Sequence, residues 1–211
     1  MESLDKIVKE VSKYIASKKR IIMALPGGRS IVPFLEKFKE EKIEWNKIHF
    51  FMADERLVKL NDKDSNFRML SEKFFSELIS KGNLSPMNLH PFRVEKGIKE
   101  YETDLISMGG KFDIVILGVG EDGHVAGLFP NYTVLDKSKY FIEFHDSPKP
   151  PKDRMSSSKN LIEKSEVSVL LFVGESKKEA YGKFMDEKTN WKECPAKIAL
   201  NSQNLVYTNF F

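Results

Sequence analysis

Cysteine is almost absent from these 211 residues, and Cys194 stands alone. One thiol forms no internal disulfide, so the chain is not one of the stapled folds of small secreted domains. No apolar run is long enough to cross a bilayer, and the first twenty residues mix the acids Glu2, Asp5 and Glu10 into an amphipathic pattern that suits neither a signal peptide nor a transit peptide. The expected location is the cytoplasm. Charge of one sign is lacking too. Against 34 Lys+Arg stand 31 Asp+Glu, a net charge of +3 spread over the whole length, so neither nucleic acid nor a membrane is an expected partner. The four histidines are scattered, and with a single cysteine they give no metal-ligand spacing; a Gly-x-Ser-x-Gly elbow and a Walker A sequence are missing as well. Neither a metal nor a cofactor is expected.

What the chain has is a regular alternation of buried strands and amphipathic helices. Leu4, Ile7, Val8, Val11, Tyr14 and Ile15 recur at i, i+3, i+4, i+7 and predict an opening helix. The wholly apolar run 21–25 predicts a strand buried on both faces, ended by Pro26-Gly27-Gly28. The unit then repeats, with helices over 32–42, 66–79, 97–107 and 176–185 and strands over 47–53, 88–90, 112–117, 167–173 and 205–208. Residues 54–65 read as a polar loop. The stretch after Gly118, with Pro130, Pro148, Pro150 and Pro151, reads as irregular. These features predict one α/β domain over 1–211, a parallel sheet with helices on both faces. In such sheets ligands sit beyond the carboxyl ends of the strands, which directs attention to the loops starting at Pro26, Asp54, Gly118, His145 and Gly174.

Six arginines stand against twenty-eight lysines. Where lysine carries solubility, an arginine in a strand-end loop suits bidentate binding of phosphate or carboxylate, and Arg29, Arg56 and Arg154 lie in such loops. The alternative for each is a surface ion pair. Gly27-Gly28-Arg29-Ser30, between a strand and a helix, is either an anion site on backbone N–H groups or a tight turn capped by Ser30. Gly118 to Gly123 matches the Gly-x-Gly-x-x-Gly dinucleotide fingerprint in form only, because Pro130 ends the segment before a helix can follow. The distinctive residue there is His124: beside Asp122, it is placed to take a proton from water while the carboxylate orients its ring. His49 and His90 fall inside strands and read as packed histidines.

Taken together and in order, these segments resemble the 6-phosphogluconolactonases. The resemblance rests on Gly27-Gly28-Arg29-Ser30, Trp45 leading into His49-Phe50-Phe51, Asp54-Glu55-Arg56 followed by Asp64-Ser65-Asn66, Phe112-Asp113, Gly118-Val119-Gly120-Glu121-Asp122-Gly123-His124 running on to Leu128-Phe129-Pro130, Lys149-Pro150-Pro151 with Arg154, and Gly174-Glu175-Ser176-Lys177. It covers nearly the whole chain. The resemblance implies the Rossmann-like α/β fold shared with glucosamine-6-phosphate deaminases, a mostly parallel sheet with helices on both faces, and hydrolysis of 6-phosphoglucono-1,5-lactone. It implies His124 as general base supported by Asp122, and Gly27, Gly28, Arg29, Ser30, Arg154 and Lys177 as phosphate-binding. Asp54, Asn66 and Gly120 join them as substrate-pocket residues, with Arg56 facing either the phosphate or the lactone oxygens. The partner implied is a small sugar-phosphate lactone, bound by a monomer or weak homodimer. The motifs depart from the family at Ser30-Ile31, where it usually has Thr-Pro, at Pro26, where it usually has Ser or Ala, and at Val125-Ala126-Gly127, where it usually has Thr-Ala-Ser. A glucosamine-6-phosphate deaminase is disfavoured by Leu128-Phe129-Pro130, where those relatives carry a further carboxylate, and by Arg56, where they carry an aromatic residue. A non-catalytic sugar-phosphate sensor is disfavoured by the paired Asp122 and His124.

Overall fold

The computed structural model describes residues 3–210, so Glu2 lies outside the described residues. Helix α1 (Leu4–Ala16) starts where Ser3 accepts the Lys6 N–H, and its apolar stripe of Leu4, Ile7, Val8, Val11 and Ile15 is buried. The chain continues through β1 (Ile21–Leu25), α2 (Val32–Phe38), β2 (Ile48–Met52), β3 (Asp54–Arg56), α3 (Asn66–Leu70), α4 (Ser76–Ser80), β4 (Leu89–His90), α5 (Gly97–Ser107) and β5 (Ile114–Gly118). It ends with β6 (Phe141–Phe144), β7 (Arg154–Ser157), α6 (Lys159–Glu163), β8 (Val167–Phe172), α7 (Lys178–Met185) and β9 (Gln203–Thr208).

Six strands form one parallel sheet in the order β4-β2-β1-β5-β8-β9. β1 and β8 are buried at every position, in keeping with the wholly apolar run of β1 and the run of β8 broken only by Ser168. From β1 the chain moves outward through β2 to β4, crosses back to β5, and then moves outward the other way. Right-handed crossovers therefore put α2, α3 and α4 on one face and α5, α6 and α7 on the other; α1 packs against α2. Phe38, Trp45, Phe50 and Phe74 pack edge to face on the first side, and Phe51, Tyr101, Phe112 and Phe141 form a second aromatic cluster. Among the described residues no helix is long and apolar enough to cross a membrane.

Several expectations need correction. Residues 54–65 are not loop throughout, because Asp54–Arg56 is a strand, and the stretch after Gly118 contains two more. These three build a second, antiparallel sheet in the order β3-β7-β6. None of them shows an apolar alternation, since β3 and β7 pair across about a hundred residues and the sheet buries polar groups such as Asp54, Glu55, Arg154 and Ser156. Helix α2 stops at Phe38, short of 42, and the helix over 66–80 passes through a π turn at Ser71–Phe75. α6, which the sequence reading passed over, starts at Ser158, whose hydroxyl accepts the Leu161 N–H. Ser30 does not cap a helix: neither the 3-10 turn Arg29–Ile31 nor α2 takes a side-chain cap.

Candidate active site

β1 and β5 are neighbours whose following helices leave to opposite faces, so their loops part and open a crevice between Pro26-Gly27-Gly28 and Gly118-Val119-Gly120. This reversal is where open parallel sheets bind ligands. The crevice holds about 180 Å³ and is completed by Ser30, Asp54, Arg56, Asn66, His124, Ala126, Arg154 and Lys177. The second sheet forms its wall. Arg56 and Arg154 lie directly opposite in the β3–β7 register, and Asp54 lies opposite Ser156. Like charges face to face across two strands are destabilising unless an anion is shared between them.

His124 is fixed from two sides. Its Nδ1 meets Asp122 Oδ1 at 2.5 Å and its ring lies 4.7 Å from that of Phe129, leaving its side chain 17% exposed. With Nδ1 engaged, Nε2 is the ring nitrogen left for chemistry. Burial pushes the Asp122 carboxyl up, but the hydrogen bond and charge of His124 outweigh it and hold the group well below the usual carboxylate range. Gly120 is required by this packing, because a Cβ there would lie 2.0 Å from His124 Nδ1.

Three cations line the crevice. The buried Arg154 donates from Nε to the Pro151 carbonyl at 3.0 Å and from Nη2 to the carbonyls of Pro150 at 2.9 Å and Lys149 at 3.2 Å. Its Nη1 lies 3.8 Å from Asp54 Oδ2. Burial pulls its pKa down, and Arg56 adds to that effect while Asp54 opposes it. Arg56 donates from Nη1 to the Asp64 carbonyl at 2.6 Å, while its buried Nε has no hydrogen-bond partner. Lys177 reaches in from the loop after β8, with its Nζ 3.7 Å from Glu121 Oε1.

Beneath these groups sits Glu55, which the sequence reading did not single out as a site residue. It is 1% exposed and accepts the N–H groups of Arg56, Asn66 and Phe67 at 2.7–2.8 Å and the Ser65 hydroxyl at 3.2 Å. A carboxylate at the first turn of α3 satisfies donors that a helix start leaves unpaired. Asn66, so fixed, donates from Nδ2 to the Asp54 carbonyl at 2.9 Å and packs on Gly27, where a Cβ would lie 1.8 Å from its Oδ1. The available signal was an acid followed ten residues later by Ser65-Asn66 opening a helix.

Gly27, Gly28, Ser30, Asp54, Arg56, Asn66, Gly120, His124, Arg154 and Lys177 thus converge on one crevice. Asp122 sits behind His124 rather than on the wall, and Arg29 is exposed and outside the lining. Val119, Gly118 and Ala126 line it without having been singled out. The other histidines lie elsewhere. His49 Nδ1 and His90 Nε2 are 3.0 Å apart with His90 stacked on Phe51, and His145 pairs with Asp153 at the surface.

The sequence profile of the glucosamine-6-phosphate isomerases/6-phosphogluconolactonase family matches residues 1–207. A 6-phosphogluconolactonase of Borreliella burgdorferi is 39% identical over 191 residues, spanning 87% of this chain and 81% of its own. One from Thermotoga maritima is 38% identical over 151 residues, 71% of this chain and 68% of its own. The crystal structure of 6-phosphogluconolactonase from Thermotoga maritima superposes with a TM-score of 0.83 at 28% identity, covering 99% of this chain and 97% of that one. A monomeric glucosamine-6-phosphate deaminase shares the fold, with a TM-score of 0.79 at 21% identity over 98% and 93% of the two chains. With a family match over nearly its full length and a relative of 39% identity across most of both chains, this chain belongs to the glucosamine-6-phosphate isomerase/6-phosphogluconolactonase family.

Proposed function

We propose that the protein hydrolyses 6-phospho-D-glucono-1,5-lactone to 6-phospho-D-gluconate, the lactone step of the oxidative pentose phosphate pathway. The observation that carries this reading is His124, with its Nδ1 2.5 Å from Asp122, opening into a crevice lined by Arg56, Arg154 and Lys177. The family relatives of 38–39% identity are 6-phosphogluconolactonases.

Nε2 of His124 takes a proton from a water as that water's oxygen attacks C1 of the lactone. The C1 carbonyl becomes an oxyanion, which Arg56 meets with the donor its Nε leaves unpaired. Collapse breaks the bond from C1 to the ring oxygen. The imidazolium returns its proton to that oxygen, which leaves as the 5-hydroxyl, and the new carboxylic acid loses its proton to solvent. Asp122 stabilises the imidazolium between the two transfers. General-base help of this kind contributes about 10²–10⁴ in rate.

The 6-phosphate sits on Gly27, Gly28 and Ser30, at the start of the turn that opens α2, with Arg154 and Lys177 supplying charge. Arg29 at the rim adds long-range attraction rather than a wall contact. Asp54 and Asn66 hold the sugar hydroxyls and Gly120 admits the imidazole. This reading carries with it a cytoplasmic setting and a monomer or weak homodimer, which sedimentation at working concentration checks.

The test is the disappearance of freshly made 6-phosphogluconolactone, corrected for spontaneous opening. Protein accelerates it many-fold and prefers the phosphorylated lactone over gluconolactone. Ammonia release from glucosamine 6-phosphate without lactone hydrolysis would replace this reading by the deaminase one; tight sugar-phosphate binding with no turnover of either would replace it by a sensor.

A further inference from the structure

Asp122 has a second neighbour that the reaction above does not use. Its Oδ1, already engaged by the His124 ring, lies 3.7 Å from the ammonium of Lys149 in the loop 145–153. That loop is firmly held. The Ser147 N–H donates to the Lys152 carbonyl at 3.1 Å, the Lys149 N–H donates to Ser147 Oγ at 3.3 Å, and Ser147 is fully buried. Arg154 takes the carbonyls of Lys149, Pro150 and Pro151. One crevice-lining cation therefore fixes the backbone of a second cation, and the second reaches the carboxylate behind the base.

From this geometry we infer that Lys149 is a positioning residue, resting on the reading of His124 as base: its charge competes with the imidazole for Asp122 and sets the pH at which His124 becomes free to accept a proton. A carboxylate this close favours imidazolium over imidazole, and a base that holds its proton at neutral pH is idle. A second cation on the same oxygen offsets that pull. The other charges around the pair are engaged or turned to the crevice. Glu121, on the same loop, faces Lys177 and also feels the charge of Lys149; Lys183 of α7 pairs with Glu179 at 2.8 Å while its charge also acts on Asp122 from a distance; Glu193 accepts from Asn190. Asp54, Arg56, Arg154 and Lys177 face the crevice from the other elements. Among the described residues, His124 and Lys149 are the ones that form ion pairs with Asp122.

The experiment compares wild type, Lys149→Met and Lys149→Arg by NMR titration of the histidine rings and by kcat/KM against pH. In Lys149→Met the His124 titration midpoint moves up by about half a pH unit, the scale expected of one partly exposed charge at this range. The acid limb of kcat/KM moves by the same amount in the same direction, so the ratio of variant to wild-type activity climbs as pH rises. Lys149→Arg restores both, and the His49 and His90 titrations stay in place. An unmoved His124 midpoint in Lys149→Met, a loss of turnover by one factor at every pH, or failure of Lys149→Arg to restore the profile would each overturn the inference. The ring titration needs no turnover, so it separates the two readings. Full activity in His124→Ala removes the base whatever Lys149 does to the midpoint, whereas an inactive His124→Ala with an unmoved midpoint removes the role of Lys149 alone.

Discussion

Gly120 and His124 share a space that admits one of them only if the other has no side chain. A methyl at Gly120 would stand 2.0 Å from Nδ1 and 2.8 Å from Asp122 Oδ1, between the two partners whose contact orients the ring. Gly120→Ala therefore displaces the imidazole by about an ångström, and misplacement on that scale costs about 10²-fold in kcat. Steady-state kinetics on the lactone check this, with KM changing far less than kcat because the proposed phosphate contacts lie on other loops. An unaltered kcat in a folded Gly120→Ala protein would show that the ring does not occupy this place during turnover. At this scale much of the site was legible beforehand, because glycines after buried strands and arginines in a lysine-rich chain each carry a physical reason. That reasoning did not foresee where Arg29 lies. It shares the glycine loop, but the 3-10 turn that begins at it leaves it exposed and outside the lining.

The elements around the crevice are held by a carboxylate with no exposed surface to reveal it. Glu55 joins β3 to the start of α3 through three backbone N–H groups and the Ser65 hydroxyl. Burial pushes its pKa up while these backbone donors oppose the rise. Glu55→Ala leaves buried donors unpaired and destabilises the protein by about 2–3 kcal/mol; urea unfolding measures the loss. A rise in KM accompanies it as Asn66 and Arg56 lose their backbone anchors. Gly182 in α7 offers the opposite case. A Cβ there meets no atom within 4 Å, so Gly182→Ala raises stability by about 0.5–1 kcal/mol and leaves kcat unchanged. The central strands β1, β5 and β8 were readable because burial on both faces imposes apolar or nearly apolar runs. The second sheet was hidden because Asp54-Glu55-Arg56 and Arg154-Met155-Ser156-Ser157 become strands through each other, not through any local pattern.

Over the whole molecule, two groups far from the crevice tie stability to pH. Glu166, ahead of β8, accepts from Lys111 at 2.7 Å, Tyr14 at 2.5 Å and Lys18 at 2.9 Å, joining α1 to the turn before β5. Lys111 foremost, with Tyr14 and Lys18, lowers its pKa to about 2 from an ordinary 4.5. A depressed acid contributes stability above its unfolded value and loses it as pH falls towards the folded one. The window is therefore pH 4.5 to 2, and Glu166→Gln flattens the urea midpoint across it. His90 acts higher on the scale. Burial first, and then the neighbouring His49, lower its pKa from 6.5 to about 4. The unfolded chain takes up this proton more readily than the folded one, so stability falls as pH drops from 6.5 towards 4, and His90→Gln removes that part of the slope. A urea midpoint that is level from pH 6.5 to 4 in the wild type would contradict this account of the His49–His90 pair.

The proposed chemistry turns on His124 withdrawing a proton from water beside a bound phosphorylated lactone. Initial rates of lactone disappearance for wild type and His124→Ala, each corrected for spontaneous hydrolysis and fitted separately for kcat and KM, test it most directly. A loss of about 10²–10⁴ in kcat with KM within a few-fold of wild type is the expected result. A His124→Ala protein that turns over at near wild-type kcat would contradict it.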